Sequence, residues 1–485
     1  MAYQSIFKKY LNQGGYLSLV VLIFSAIAII ILSSFIIWAD LSLKSVNRNS
    51  NQALAFSTAE AGIEYYRWHL AHAKQDFQDG TGGPGPYIHD YFDKNGVKVG
   101  QFKLEITPPV TGSTLVNIKS TGTIENDLNI SKIIEVKMAI PSFAKFAAVS
   151  NSNVRFGPGT EVFGPIHSNG GIRFDGIAHN LVTSALSKYN DPDHSGNDEF
   201  GVHTHVSPID PQPPSAVPNR PDVFLAGRQF PVPAIDFVGI TSSLADIKTK
   251  TQAGGSYYGP SGAKGYHLVL KTNDTYDLYK VTKVLSPPNG CIEVLGQKFW
   301  GTWTIETETL VGNYPFPSNN LIFFEDDIWV NGQINTARLT IASGRFPENS
   351  ATYTSVIINN DLLYSNYDGQ DVIGLISQGN IGVGLQSEDD LRIDGALIAQ
   401  NGRVGRYYYR PPSGNQNRCA PYHIRQVITL YGMITSNERY GFAYSDGTGY
   451  QTRNIIYDAN LLYGPPPNFP LTSDNYQQVI WNEVK

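Results

Sequence analysis

Two cysteines, Cys291 and Cys419, are all that a chain of 485 residues contains. Their spacing fits no zinc or redox motif. If the region that carries them lies outside the cytosol, the pair can form one disulfide; two separate buried thiols is the other reading. Charge is also scarce. Lys and Arg (36) and Asp and Glu (42) make up 16% of the chain, with a net charge of -6. No basic stripe with interleaved aromatics occurs, so a nucleic-acid partner is not expected. Phosphate-binding loops, dinucleotide glycine fingerprints, Gly-x-Ser-x-Gly elbows and His-Glu-x-x-His are missing too. The expectation is a protein that is not an enzyme. What the chain does have is 46 Gly, 29 Pro and 28 Tyr, a composition that suits a mainly-β extracellular body. At this length two or three units are expected, and 41% hydrophobic residues exclude general disorder.

One long apolar run stands out. No charged side chain occurs between Tyr10 and Ala39; Lys8 and Lys9 precede the run and Asp40 follows it. From Tyr16 to Ala39 it reaches roughly 36 Å as a helix, enough for a ~30 Å hydrocarbon core. Lysines before the span and no positive cluster after it place the N-terminus in the cytoplasm and the remainder outside. The run ends Phe35-Ile36-Ile37-Trp38-Ala39-Asp40, which is no signal-peptidase site. A plain single-span anchor is one reading.

The surroundings of the run give another. Gln13-Gly14-Gly15-Tyr16-Leu17-Ser18-Leu19-Val20-Val21 resembles the start of a type IV prepilin of the minor-pilin kind. Ala59-Glu60-Ala61-Gly62, within Ala53–Tyr66, is similar to the Ala-Glu-Ala-Gly motif of PilX-type minor pilins and pseudopilins. The resemblance implies cleavage by a prepilin peptidase after Gly15, with Tyr16 as the new N-terminus. It also implies a membrane and assembly helix that uses Leu17, Leu19, Val20, Val21, Leu22, Phe24 and Ile27, and other pilin-like subunits as partners. Major pilins of the family carry glutamate at the fifth mature position, where this chain has Val20. A carboxylate in the membrane persists only with a partner. Its absence therefore points to a minor or tip subunit of a type IV pilus or related secretion filament, and away from a main shaft subunit.

The helix is expected to run to about Lys74, with the small residues Ala53, Ala55, Ala59, Ala61 and Gly62 packing closely on a neighbour or on the chain's own head. The glycine- and proline-rich stretch Gln75–Pro86 ends it. Three strands, Gln101–Thr107, Leu115–Thr123 and Ile130–Ile140, read as an antiparallel meander, which needs the helix as cover. From about Phe146 short apolar segments recur between Gly, Asn and Asp turns. Phe163–Gly170, Gly374–Ile381, Gly395–Gly402 and Gly432–Asn437 resemble one another, as do Arg173-Phe174-Asp175-Gly176 and Arg392-Ile393-Asp394-Gly395. Each is too small to bury its own face, so stacking is required.

The expected fold class is α+β: a long N-terminal pilin-like helix, a small antiparallel meander and a large mainly-β body. A parallel β-helix is favoured for the body, with a β-sandwich as the alternative. The expected domains are a leader (1–15), a membrane and stalk helix (16–79), a pilin-like β module (80–145), a solenoid-like head (146–450, with an insertion at about 181–318) and a C-terminal tail (451–485). Inside the insertion, Ile235–Gln252 reads as a helix, and Tyr266–Val284 and Ile292–Thr309 as hairpins.

Three sets of residues in the body are candidates for chemistry. Asp191, Asp193 and Ser195, with Gly196 at the sixth place, match the first half of a calcium loop; Val202 stands where the closing glutamate belongs, so Asp198 or Glu199 would complete a shorter loop. His203 and His205, with His194, form an alternative zinc set. A self-bonded polar loop is the third reading. Asp326, Asp327, Glu388, Asp389 and Asp390, with Arg338 and Arg392, are the acids and bases that a carbohydrate-active β-helix enzyme would use. Tyr407-Tyr408-Tyr409 and Tyr257-Tyr258 are candidates for stacking on a glycan or surface ligand.

Overall fold

The structure is a computed structural model that describes residues 14–110, 113–194, 196–237, 239–462 and 464–484. The chain divides into two compact units. One holds the chain up to Thr107, residues 118–136 and the last residues from Ile480; the other holds 108–117 and 137–479.

The first unit is one helix and one sheet. The helix α1, Gly14–His72, runs 59 residues without a break. Strands β1 (Tyr87–Phe92), β2 (Lys98–Thr107), β3 (Val116–Ile124) and β4 (Asp127–Ala139) follow in order, and the terminal strand Gln477–Val484 adds itself beside β4. The meander is therefore antiparallel as expected, but with an extra strand at each edge. Alternation sets the buried face: Ile118, Ser120 and Ile124 from β3, Phe102 and Leu104 from β2, and Ile134 and Val136 from β4. The C-terminal half of α1 covers this face with Ala55, Ala59, Ile63, Tyr66 and Leu70, all at most 3% exposed. Their spacing of four, four, three and four is one stripe of a 3.6-residue helix. Small residues are required because the approach is close. A Cβ on Gly62 would lie 2.4 Å from the Ser120 hydroxyl oxygen. One on Gly122 would lie 2.2 Å from the Ala55 carbonyl oxygen and 2.3 Å from the Ala59 amide nitrogen.

The second unit is a parallel β-solenoid with three rows of short strands. One row stacks Ile322, Ile341, Leu375, Leu397, Ile434, Ala148, Ile166 and Val182 in register. A second stacks Leu362, Ile393, Leu430, Ile455, Val162 and Ala178. A third contains Ile328, Val356, Ile381 and Val404, and separately Val154, Ile172 and Val202. These residues form one continuous buried core, because each coil exposes an apolar ledge that only the next coil covers. At one corner Gly432, φ 142°, turns the chain where a Cβ would lie 2.0 Å from the Gly395 carbonyl oxygen; only glycine fits there.

The coils are not stacked in chain order. Val154–Phe156 and its neighbours, which come first in the sequence, dock after the last coil: Ile434 pairs with Ala148, and Ile455 with Val162. The chain enters the stack in its middle, runs to one end at Arg228–Gln229, and restarts at the other end with Ser256–Tyr258, paired to Ile322–Phe324. Helix α2, Gly239–Gly254, lies on this return path. Its Leu244 and Ile247 join Phe323, Ala342, Ile376 and Ile398 in a second cluster, with Phe143, Leu461 and Phe469. That cluster covers the outward side chains of the first row.

Several boundaries differ from expectation. Gly449–Tyr457 is a full coil strand, so the solenoid runs past residue 450, and the terminal 28 residues supply both the Leu461–Phe469 cover and an edge strand. Ile292–Thr309 is not a hairpin. Residues 285–304 form a loop, and Ile305–Pro315 pairs with Thr275–Val284. Ile292, Val294 and Leu295 mimic a strand but are exposed; the loop is held by a disulfide between Cys291 and Cys419. This bond closes across 128 residues and sits in a buried cluster with Leu385, Tyr407 and Tyr409. Loop-closure entropy makes a link of this span worth about 2–4 kcal/mol. Cys291→Ser/Cys419→Ser is expected to lower the stability of the solenoid by that amount in denaturant unfolding, and wild type in reductant should match the double variant.

Candidate functional site

Two places combine chemistry with exposure or burial that the fold alone does not require: the first half of α1, and a histidine–carboxylate cluster on the solenoid.

The N-terminal half of α1 is largely exposed among the described residues. Tyr16, Leu17, Leu19, Val21, Leu22, Phe24, Ile27, Ile29, Ile30, Leu32, Phe35, Ile36, Ile37 and Trp38 are between 46% and 75% exposed, and Val20 is half-buried. None of the most apolar stretch is buried. Two serines inside the span are satisfied locally. The Ser25 hydroxyl donates to the Val21 carbonyl at 2.8 Å and the Ser34 hydroxyl to the Ile30 carbonyl at 2.8 Å. Hydrocarbon requires this, since it offers no other partner. Among the described residues there is thus one N-terminal apolar helix suited to a membrane anchor. Gly15 and Tyr16 lie in its first turn; the remainder of the expected leader, residues 1–13, lies outside the described residues. The Ala-Glu-Ala-Gly motif begins about 30 Å beyond Ala39 along the helix, at about 1.5 Å per residue. There Ala59 and Gly62 face the sheet, Ala61 is half-buried and Glu60 points to solvent. The motif residues pack on this chain's own head.

The second site is built on the third row of the solenoid. Val202–His203 pairs in parallel with Ile172–Arg173. Val202 points into the core, so alternation turns His203 outward. The loop that carries Tyr189, Asp191, His194 and Glu199 folds over it, and His203 is 0% exposed, Glu199 2% and Asp191 3%. Asp191 Oδ2 lies 3.5 Å from His203 Nε2. Glu199 Oε1 lies 3.3 Å from His194 Nδ1 and 3.9 Å from His205 Nε2. The ligand atoms of Asp191, His203 and His205 all lie within 4.8 Å of one another, and so do those of His194, Glu199 and His205. Ring centroids are 5.1 Å apart for His203 and His205, and 4.6 Å for His194 and His205.

Hydrogen bonding leaves this cluster open on its inner side. Both ring nitrogens of His203, Nε2 of His205, Oδ2 of Asp191, Oε2 of Glu199 and the Tyr189 hydroxyl are buried without a hydrogen bond among the described residues. Each such group costs about 1–3 kcal/mol if nothing fills the gap. The outer sides are held: Asp191 Oδ1 accepts from the Asp193 amide, Glu199 Oε1 from Gln212 Nε2, and the His205 amide donates to Asp175 Oδ1. Burial alone would raise the Asp191 carboxyl, but His203, the Asp193 amide and the charge of Arg173 outweigh it and hold Asp191 below the usual carboxylate range. Burial, with Arg173, His203 and His194 nearby, pushes the His205 ring below its ordinary value, toward the neutral form.

The calcium set is not brought together. Asp193 pairs with Arg439 at 2.5 Å and Asp198 with Lys188 at 2.9 Å, while Asp191 and Glu199 face histidines; Ser195 lies outside the described residues. Nitrogen donors among the ligands suit zinc-class ions and not calcium, which takes oxygen.

No protein-family model and no curated protein matches the sequence. Among solved structures, the competence-associated pilin ComZ from Thermus thermophilus is similar over 90% of this chain and 97% of its own, at 12% identity and a TM-score of 0.29. A likeness that weak carries no argument about fold or function.

The remaining candidates are dispersed or engaged. Asp326 accepts from Ser261, Arg345 and the Asp327 amide. Burial and the Asp326 charge push Asp327 up to about 7. Glu388 accepts from Asn360, Asp389 pairs with Arg425, Arg392 with Asp394, and Arg338 donates to the Gly369, Gly464 and Pro465 carbonyls. Asp390 is exposed at a strand end. Tyr407 and Tyr409 are 2% and 1% exposed beside the disulfide, so they offer no stacking surface; Tyr257 packs against Phe323 and Tyr258 against Phe324. Sequence reading missed Arg406. It is wholly buried, donates to the Leu385 and Tyr422 carbonyls and lies over the Tyr409 ring.

Proposed function

We propose that the chain is a non-enzymatic, minor pilin-like subunit, anchored by its N-terminal helix and displayed on, or assembled into, a type IV pilus or related secretion filament. The observation that carries this reading is the division of labour along α1. One unbroken helix begins as a bare apolar span right after Gly14-Gly15 and ends as the cover of an antiparallel sheet. An anchor alone needs no rigid continuation into the head, whereas a filament subunit does: the same helix must leave the membrane, pack among its neighbours and carry a folded head. Lysines ahead of the span orient the head outward. The disulfide between Cys291 and Cys419 supports an oxidising compartment for it.

Processing is the test. Co-expressed with a prepilin peptidase, the chain is expected to yield a terminal peptide that begins at Tyr16 when read by mass spectrometry. An intact Met1, or a cut beyond Ala39, would remove the pilin route and leave a tethered solenoid.

A further inference from the structure

We propose that the solenoid holds one divalent transition-metal ion of the zinc class, bound by His203, His205 and Asp191, with Glu199 and His194 closing the outer side. This goes beyond the filament role and does not depend on it.

The donor set is mixed nitrogen and oxygen, which suits zinc and its neighbours. Bond lengths of about 2.0–2.1 Å in a tetrahedral shell place ligand atoms roughly 3.3–3.5 Å apart. Asp191 Oδ2 to His203 Nε2 is 3.5 Å, and His194 Nδ1 to Glu199 Oε1 is 3.3 Å. Both distances are already those of ligands that share an ion, and they are long for hydrogen bonds. The second observation is independent of spacing. His203 is completely buried, yet neither of its ring nitrogens makes a hydrogen bond among the described residues. The unbonded atoms of His205, Asp191 and Glu199 belong to the same cluster. Buried nitrogen and oxygen atoms that converge without bonding one another are built for something that accepts several lone pairs. A cation does so.

The shell around the ligands is ordered as a metal site requires. Asp175 fixes the His205 backbone, Gln212 orients Glu199 and the Asp193 amide orients Asp191. The nearest competing cation is Arg173, whose Nη1 is 3.5 Å from Asp191 Oδ2. Its Nε is committed to Asp175 at 2.8 Å. The His194 side chain, 41% exposed, gives the ion a way in. Both triplets share His205, so a single ion is expected. Its work is structural: it ties the loop through Asp191–Glu199 to the coil strand Val202–His203, at the stretch where chain 185–201 departs from the solenoid.

The test uses the full-length chain, without a polyhistidine tag, in detergent. After chelation and addition of zinc chloride, elemental analysis should find one zinc per chain. Titration should show His203→Ala and His205→Ala losing more affinity than the roughly 10- to 100-fold that outer partners usually carry. Asp193→Asn and Asp198→Asn should bind as wild type. X-ray absorption on the zinc-loaded wild type provides a readout that does not depend on any variant folding; it should show imidazole scattering from at least two ligands. Loss of zinc on a desalting column, an oxygen-only shell, or equal affinity in folded His203→Ala would each overturn the assignment.

Discussion

Gly122→Val is expected to unfold the helix-and-sheet unit while leaving the solenoid folded. The added Cβ would sit 2.2 Å from the Ala55 carbonyl oxygen and 2.3 Å from the Ala59 amide nitrogen. Both are backbone atoms of a helix, so no rotamer change relieves the clash; α1 must move off the sheet. Overpacking normally costs about 1–3 kcal/mol, but the consequence here is larger, because α1 is the cover of that face. Moving it uncovers Ala55, Ala59, Ile63, Tyr66 and Leu70 together with Phe102 and Ile118. A small meander stripped of its helix is marginal on its own. Limited proteolysis read by mass spectrometry should show new cuts between residues 87 and 139, and protection in coils 321–457 unchanged. A variant as resistant as wild type throughout would show that the close approach of Gly122 to α1 does not hold this unit together. Gly62→Ala tests the same contact from the helix side, and its effect should be smaller, because a side-chain hydroxyl, Ser120, is what it meets first.

Much of this architecture was legible from periodicity. The apolar span, the end of the helix near Lys74 and the strands of the meander follow from residue pattern: an uncharged run, a glycine- and proline-rich stop, and short strand-like runs between turns. So does the recurrence of Gly374–Ile381 and Gly395–Gly402, which pair in the structure through Gly374 with Ala396 and Leu375 with Leu397. The order of the coils was not legible. Ile434 and Ala148 look like every other ledge residue, and nothing local says that coils far apart in sequence are neighbours. The edge strand Gln477–Val484 was missed because it is mostly exposed and lacks a clean alternation, and Tyr87–Phe92 because its outward positions carry Ile88 and Phe92 while His89 points inward, which blurs the apolar pattern. At the histidine cluster the sequence offered an acidic pattern, Asp-x-Asp-x-Ser-Gly, that competes with His-x-His. Which side chains converge is decided by Arg439 and Lys188, the partners of Asp193 and Asp198, and those lie 246 and 10 residues away. Arg406 gave no signal, since a buried arginine is recognised only by the carbonyls and rings that surround it.

Ile27→Lys/Ile30→Lys is expected to release the chain from membranes without disturbing its folded units. The two positions lie one turn apart near the middle of Tyr16–Ala39, 46% and 64% exposed, so neither lysine meets a protein partner within the chain. On insertion scales each charge at the centre of a span costs about 2.5–3.5 kcal/mol, so two cost about 5–7. That exceeds what snorkelling recovers from mid-span. In cell fractionation the wild type should stay in the pellet after alkaline carbonate extraction, and the double variant should leave it. Trp68→Lys, on the exposed side of the sheet-packed half at 59%, should remain membrane-bound. A double variant that resists carbonate would show that something other than this helix anchors the chain. The pair complements Gly122→Val: one change breaks packing and spares the span, the other breaks the span and spares packing. A subunit whose helix does both jobs must fail filament display under either change, by different routes, whereas a plain tethered solenoid would still reach the surface with its small sheet unfolded.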